Sequence, residues 1–147
     1  MRVVADTNVA LSGLLWPGPP NQILKWVRDR ILEIVACEET PAELKRILQY
    51  KRFAQRLSML ETNAAEAFSY FLNLVSFVPA PVLIPREIVE DPFDNFFLAV
   101  ASHNNAGLII SGDGHLLDLR EYQRIQIVTP SEACQVIEAL LSLDSRR

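Results

Sequence analysis

The 147-residue sequence contains few of the residues from which zinc sites and disulfide frameworks are built. It has two cysteines and two histidines, and neither Cys37 nor Cys134 has a histidine at zinc-binding spacing. One disulfide is compatible with this count, but two reduced thiols in the cytosol are the expectation. Runs of about 18 uncharged apolar residues, which a membrane-spanning helix requires, are absent. Asp6 interrupts the apolar stretch that a secretion signal would need, so a cytoplasmic protein without membrane contact is expected.

Signatures of the common nucleotide-binding and phosphotransfer classes are also missing. Neither a G-x-G-x-x-G loop nor a Walker loop occurs in the sequence. An aspartyl-phosphate enzyme would need a second aspartate two residues after Asp6, or an acidic pair before it, together with a lysine late in the chain. The residue two positions later is Asn8 and the last lysine is Lys51, which disfavours that class.

The composition is that of one globular domain with a surplus of apolar residues. Half of the residues are hydrophobic, the mean hydropathy is +0.14 and the formal net charge is −4. The length fits a single domain over residues 1–147. This high proportion of apolar residues in a small domain favours an interface with another subunit or with a partner protein. The negative charge disfavours a protein that coats nucleic acid, but it is compatible with a nuclease that has an acidic metal site.

Short apolar runs alternate with amphipathic segments along the chain, and no hairpin turn is evident between two of the runs. The runs are typical of buried strands, whereas the intervening segments have the period of helices. The predicted strands are Val3–Ala5, Leu32–Cys37, Leu108–Ile110 and Ile125–Val128, and the predicted helices begin near residues 23, 40, 59, 91 and 129. This alternation indicates an α/β protein with a central parallel sheet covered by helices.

Three aspartates fall where such a fold places functional side chains. Sites in an open parallel sheet form outside the carboxyl ends of the strands, and Asp6 and Asp113 each follow a predicted strand. Asp94 lies in the first turn of a predicted helix that begins with Asp91 and Pro92. Each aspartate has an alternative role in a turn or at a helix start. If both strands are central in one sheet, Asp6 and Asp113 point to the same crevice.

Glu43 has a strong alternative role in helix capping. It follows Thr40 by three residues with Pro41 between them, which is the capping-box pattern. The same pattern recurs at Thr129 and Glu132, where only capping is expected. Spacing alone therefore leaves both capping and metal binding open for Glu43.

Converging carboxylates repel one another, so either their pKa values rise or a cation binds among them. No lysine-rich motif lies nearby to neutralise them. All-oxygen ligands suit Mg²⁺ or Mn²⁺ rather than zinc, and such ions activate water against phosphodiesters. The carboxylate set thus favours a magnesium or manganese site.

Four short motifs, taken in order, resemble those of the PIN-domain family. They are Asp6-Thr7-Asn8-Val9, Glu43 after the second strand, Glu90-Asp91-Pro92-Phe93-Asp94-Asn95 and Ser111-Gly112-Asp113. The resemblance extends over essentially the whole chain and is nearest to the toxin components of prokaryotic toxin–antitoxin systems. It implies a three-layer α/β/α sandwich and an endoribonuclease that hydrolyses single-stranded RNA.

The same resemblance assigns roles to individual residues. The catalytic residues and ligands of Mg²⁺ or Mn²⁺ would be Asp6, Glu43, Asp94 and Asp113. Asn8 and Ser111 would orient the aspartates by hydrogen bonds. The family often has an acid two residues after the last motif aspartate, where this sequence has His115. This departure leaves open whether one or two metal ions bind.

The resemblance also implies partners. Family members of this kind typically form homodimers and are inhibited by an antitoxin protein encoded beside them. Because the sequence retains the acidic residues of the family motifs, a ribonuclease is favoured. The alternative is a PIN-like module with weak or no catalysis that binds RNA or a protein.

A basic segment without acids extends from Lys45 to Arg56 and contains five basic residues. Such a run is often only a solvated surface. It is also what an acidic nuclease would need to hold RNA phosphates, and the candidates for that contact are Lys51, Arg52 and Arg56. Tyr50 and Phe53 lie within the segment and could stack a base, although core packing is the stronger expectation for Phe53.

Overall fold

A six-stranded sheet forms the centre of the protein. In the computed structural model, which describes residues 1–87 and 94–145, the strands are β1 (Arg2–Ala5), β2 (Glu33–Ala36), β3 (Val75–Phe77), β4 (Leu108–Ile110), β5 (Glu121–Tyr122) and β6 (Ile125–Val128). Their order is β3-β2-β1-β4-β6-β5, and every neighbouring pair is parallel except β5–β6. The predicted α/β class with a mostly parallel central sheet is therefore confirmed.

Helices cover both faces of this sheet and give three layers. They are α1 (Thr7–Leu15), α2 (Pro19–Arg28), α3 (Glu39–Leu48), α4 (Lys51–Met59), α5 (Ala64–Leu74), α6 (Asp94–His103), α7 (Gly114–Leu117) and α8 (Pro130–Ser145). Buried side chains of α1 to α5 and α8 share one core, while those of α6 and α7 share the other. Within residues 1–87 and 94–145, no helix is long and apolar enough to cross a membrane.

The strands supply alternate side chains to the two cores. In β1, Val3 and Ala5 pack on the α1 side of the sheet and Val4 packs on the α6 side. In β4, Ile110 faces the first side and Ile109 the second. Because successive side chains of a strand point to opposite faces, a run that is apolar at every position is required here.

The antiparallel pair β5–β6 corrects the expectation that no hairpin joins two strands. Tyr122 pairs with Ile125, so the connecting turn consists of Gln123 and Arg124. Both have positive φ, 48° and 68°, as the preferred two-residue hairpin turns require. Glycine or asparagine usually occupies these positions, and the sequence has neither there, which removes the usual signal for the turn.

Two helical regions also differ from the pattern predicted by the sequence. The helix expected from Met59 to Val75 begins later, at Ala64, because Met59 ends α4 and the Asn63 side chain accepts a hydrogen bond from the Glu66 amide at the start of α5. Helix α1 has no predicted counterpart. Six of its nine residues are buried, so it lacks the polar face by which an amphipathic helix is identified.

Candidate active site

The crevice at the carboxyl ends of β1 and β4 is the candidate site. Strand β1 has β2 on one side and β4 on the other. From β1 the chain adds β2 and then β3 on one side, and it then crosses to add β4 and β6 on the other side. Open sheets of this kind bind ligands at such a switch point. Ala5 pairs with Ile110, and the Asp6 amide donates to the Ile110 carbonyl at 3.1 Å. The residues that follow the two strands therefore begin side by side.

Asp6 is almost completely buried at this point, with 7% of its surface exposed. Its Oδ1 accepts a hydrogen bond of 2.9 Å from the Val9 amide and thereby caps the start of α1. Its Oδ2 accepts from the Ser111 hydroxyl and from the Gly112 amide at 3.3 Å. One carboxylate thus joins the first helix to the loop after β4.

Burial raises the pKa of the Asp6 carboxyl above its usual range. The hydrogen bonds from Ser111, Val9 and Gly112 act against this rise because they stabilise the charged form. The negative charge of Asp113 raises the pKa further. The two aspartates are near each other because Ser111 bonds both to the Asp6 carboxylate and to the Asp113 amide.

Asp113, like Asp6, caps a helix: it lies at the start of the short helix α7. Its Oδ1 accepts a hydrogen bond of 2.8 Å from the His115 amide, while the His115 side chain is exposed. The Asp113 amide donates to the Ser111 hydroxyl oxygen at 2.9 Å. Ser111, which has no exposed surface, therefore accepts from one aspartate residue and donates to the other.

Asp94 is the first residue of α6 and is 5% exposed. Helix α6 lies against β1, β2 and β4. The C-terminal end of α6 is followed by β4. It lies at the edge of the sheet where the parallel strands begin, because the Gly107 amide donates to the carbonyl of Arg2, the first residue of β1. The helix therefore begins at the carboxyl edge, which is the edge of Asp6 and Asp113. The expected cap Asp91 and the rest of the motif over residues 90–93 lie outside the described residues.

Glu43 does not form the capping box that its spacing predicts. Helix α3 begins at Glu39, ahead of the expected cap Thr40, and has no side-chain cap hydrogen bond. Glu43 is half-buried on this helix and makes no side-chain hydrogen bond or ion pair within the part of the chain that is described.

The matching motif at α8 does form the box. The Thr129 amide donates to Glu132 at 3.1 Å and the Glu132 amide donates to the Thr129 hydroxyl at 3.2 Å. These bonds hold the pKa of Glu132 below its usual range. The same capping-box spacing thus forms a cap at Thr129 but not at Thr40, and Glu43 is left available for another role.

The other expected residues lie further from the carboxylates. Asn8 is exposed and forms no side-chain hydrogen bond to a described residue, so Ser111 alone of the two expected orienting residues touches Asp6 here. Lys51, Arg52 and Arg56 belong to α4, which follows the C-terminal end of α3, whereas Glu43 is near its N-terminal end. These three basic residues are therefore separated from Glu43 by most of a helix length, whereas Lys45 and Arg46 lie on α3 itself.

The two cysteines are not bonded to each other. Burial and the neighbouring Glu39 raise the pKa of the Cys37 thiol to about 12, so the thiol is protonated and unreactive at neutral pH. Cys134 is half-buried on α8, and burial raises the pKa of its thiol as well.

The donor chemistry of the crevice fits a hard divalent ion. Asp6 and Asp113 supply carboxylate oxygens, and a cation would offset both the burial and the negative charge that raise the pKa of Asp6. Among residues 1–87 and 94–145, no three acidic, histidine or cysteine side chains are close enough together to form a metal-binding group. The fold brings two of the expected ligands together, Asp6 and Asp113.

The protein is thus a mostly parallel α/β/α protein whose candidate site lies at the topological switch point of the sheet. The model of the PIN-domain family matches residues 2–115, and the chain belongs to that family. PIN domains are generally nucleases and usually use divalent metal ions, so a hydrolase of nuclease type is indicated.

The crystal structure of PAE2754 from Pyrobaculum aerophilum has a similar fold. It superposes with a TM-score of 0.62 over 95% of this chain and 99% of that chain, at 17% sequence identity. A comparison with curated protein sequences finds no match.

Proposed function

We propose that this PIN-domain protein is a Mg²⁺- or Mn²⁺-dependent endoribonuclease that hydrolyses single-stranded RNA in the cytoplasm. The observation that carries the proposal is the buried Asp6 beside the half-buried Asp113, which follow adjacent parallel strands and are joined through the Ser111 hydroxyl. A buried carboxylate with a raised pKa beside a second acid is costly to keep unless it has a function.

The proposed ligands are Asp6 and Asp113 together with Asp94 and Glu43. A bound divalent ion lowers the pKa of its water ligand and so supplies hydroxide at neutral pH. Ser111 holds the Asp6 carboxylate in one orientation, since its hydroxyl bonds to Oδ2 while its oxygen receives the Asp113 amide. Glu43 has no capping task that would compete with metal binding.

We also propose that the protein is the toxin component of a toxin–antitoxin pair, a homodimer whose activity an antitoxin protein blocks. Exposed apolar side chains support a protein interface. The adjacent Val82 and Leu83 are 93% and 79% exposed, and Leu140 and Leu143, one turn apart on α8, are 43% and 58% exposed. Such side chains are usually covered by a partner when they cluster. A small open reading frame beside the gene, whose product abolishes the activity on co-expression, would support this role.

The ribonuclease is tested by incubation of single-stranded RNA with the protein in Mn²⁺ and in EDTA. We expect cleavage only with the metal, with products that carry a 5′-phosphate and a 3′-hydroxyl. Asp6→Asn is the control, because asparagine is also a good helix cap but is a weaker metal ligand. Cleavage that survives EDTA or Asp6→Asn, or products with 2′,3′-cyclic phosphate ends, would contradict the mechanism. RNA binding without cleavage would favour the non-catalytic module instead.

A further inference from the structure

The basic segment from Lys45 to Arg56 has no acidic partners. In the described part of the chain the ion pairs are Arg2–Glu33 and Arg28–Asp29, and neither involves this segment. In a protein with a net charge of −4, five basic side chains therefore form a concentrated positive surface. The preferred partner of such a surface is a polyanion.

Aromatic rings hold the arginines of this segment in place. The Arg52 guanidinium lies 5.4 Å from the centroid of the Tyr50 ring and 4.9 Å from that of Phe53. Arg46 lies 5.9 Å from the Tyr50 ring and also donates to the Tyr50 hydroxyl. Contacts of this kind restrain long side chains without neutralising their charge.

Trp16 extends this arrangement to the end of α1. The Arg56 guanidinium lies 4.5 Å from the centroid of its ring, and the Arg56 Nε donates to the Leu15 carbonyl at 2.6 Å. The Trp16 side chain nevertheless remains 46% exposed, and Tyr50 remains 37% exposed. We call Trp16, Arg46, Tyr50, Arg52 and Arg56 the arginine–aromatic surface.

Two helices connect this surface with the carboxylate crevice. Both α1 and α3 begin at the carboxyl edge of the sheet, lie against each other and end at the arginine–aromatic surface. On α1, Asn8 and Ser12 are four residues apart on one partly exposed face, and Trp16 follows as the C-cap of the helix. From Asn8 to Trp16 the distance is about 12 Å at the usual helix rise. An RNA strand that leaves the crevice can therefore pass the polar side chains of Asn8 and Ser12 and reach the arginines.

We propose that the arginine–aromatic surface binds an unpaired part of the substrate RNA that lies away from the cleaved bond. This inference rests on the proposed function. Trp16 stacks on a base, and Arg52 and Arg56 contact the adjoining phosphates. Exposed aromatic faces beside arginines favour single-stranded RNA over an acidic protein, because unpaired bases present flat π surfaces that acidic side chains lack.

The intrinsic fluorescence of the protein provides a direct test. The chain has two tryptophans, and Trp26 is 8% exposed, so a ligand that stacks on the surface changes the emission of Trp16. Titrations are made in EDTA with Asp6→Asn so that no RNA is cut. We expect quenching by single-stranded RNA and none by heparin, a polyanion without bases. Equal quenching by both ligands, or no quenching by RNA, would overturn the stacking role.

Substitutions separate stacking from charge. Trp16→Ala is expected to weaken binding of single-stranded RNA roughly 5- to 150-fold in an anisotropy titration, and Trp16→Phe to restore most of the affinity. The double variant Arg52→Ala, Arg56→Ala is expected to lower the slope of log affinity against log salt by about 1.4, the value for two phosphates on a single strand. Circular dichroism verifies that each variant is folded.

The matched control is the double variant Arg2→Ala, Arg28→Ala. It removes the same charge, but from two exposed arginines that are paired with acids outside the surface. We expect unchanged RNA affinity for this control. If it weakens binding as much as the Arg52 and Arg56 pair, net charge is responsible and the surface is not a site. Because binding is measured without cleavage, these outcomes are independent of whether the wild-type protein cuts RNA.

Discussion

At the scale of single residues, the candidate site depends on carboxylates that also begin helices. Asp6 accepts from the Val9 amide at the start of α1, and Asp113 accepts from the His115 amide at the start of α7. For each aspartate, capping and metal binding appeared as alternatives in the sequence. The geometry makes them compatible, since a carboxylate has two oxygens and several lone pairs. Ser111 adds the contact between the two.

Ser111→Ala tests how far that contact orients the site. The loss leaves the buried Oδ2 of Asp6 with the long Gly112 bond alone, and the Asp113 amide without its acceptor. We expect the free energy of unfolding to fall by about 1–3 kcal/mol in urea melts. Since the serine bond lowers the pKa of Asp6, its loss should raise that pKa further and weaken Mn²⁺ affinity by about 10- to 100-fold.

Ser102→Ala is the control for this substitution. Ser102 is half-buried on α6 and bonds to Gln123, away from the crevice. Its loss should leave Mn²⁺ affinity unchanged. An equal loss of metal affinity in both variants would show that Ser111 has only a general effect on packing.

At the scale of helices and strands, short sequence patterns predict some starts and miss others. The Thr129–Glu132 box was predicted and is formed. The identical spacing at Thr40 and Glu43 does not form one, because α3 begins earlier, at Glu39. Where a helix begins depends on how the preceding strand enters the sheet, and no local pattern contains that information. This is why spacing could not decide between the two roles of Glu43.

The two glutamates provide a matched test of this difference. Thr129→Ala removes a formed cap and should lower the free energy of unfolding by about 1 kcal/mol. Glu43→Gln removes no hydrogen bond to a described residue and should change it by less than about 0.5 kcal/mol. We expect Glu43→Gln nevertheless to reduce Mn²⁺-dependent cleavage by roughly tenfold or more, as loss of a ligand does. Full activity of Glu43→Gln would remove this residue from the site.

At the scale of the whole molecule, the order of strands is what makes two distant aspartates neighbours. The apolar runs predicted the parallel sheet, and the residues at their ends predicted which side chains would meet. The buried helix α1 and the Gln123–Arg124 hairpin were not predictable, since the first lacks a polar face and the second lacks glycine. Nor did the sequence reveal that α3 separates Lys51, Arg52 and Arg56 on α4 from the crevice.

Metal binding should be visible in the stability of the entire domain. The folded state raises the pKa of Asp6, so without metal this residue favours folding below its unfolded value near 3.8 and loses that contribution as pH rises through the folded value. Mn²⁺ selects the deprotonated form and reverses the trend. We expect Mn²⁺ at a hundred times its dissociation constant to stabilise the protein by about 2.7 kcal/mol at neutral pH.

The shift should disappear in acid, where Asp6 is protonated, and should be absent in Asp6→Asn at every pH. Thermal melts in Mn²⁺ and in EDTA between pH 4 and pH 8 measure it. A metal-induced shift that is independent of pH, or that Asp6→Asn retains, would place the ion elsewhere.

Because Asp6 caps α1 as well as belonging to the proposed metal site, the fold constrains how the proposed activity can be lost over evolutionary time. Alanine at position 6 would remove the cap of α1 and the link to the loop after β4, and selection for folding would act against it even after catalysis had become dispensable. Asparagine would preserve the cap, so a descendant that had become a pure binding protein is expected to carry asparagine or serine there. Genes that have drifted away from catalysis should therefore be recognisable by which substitution they accept at this position.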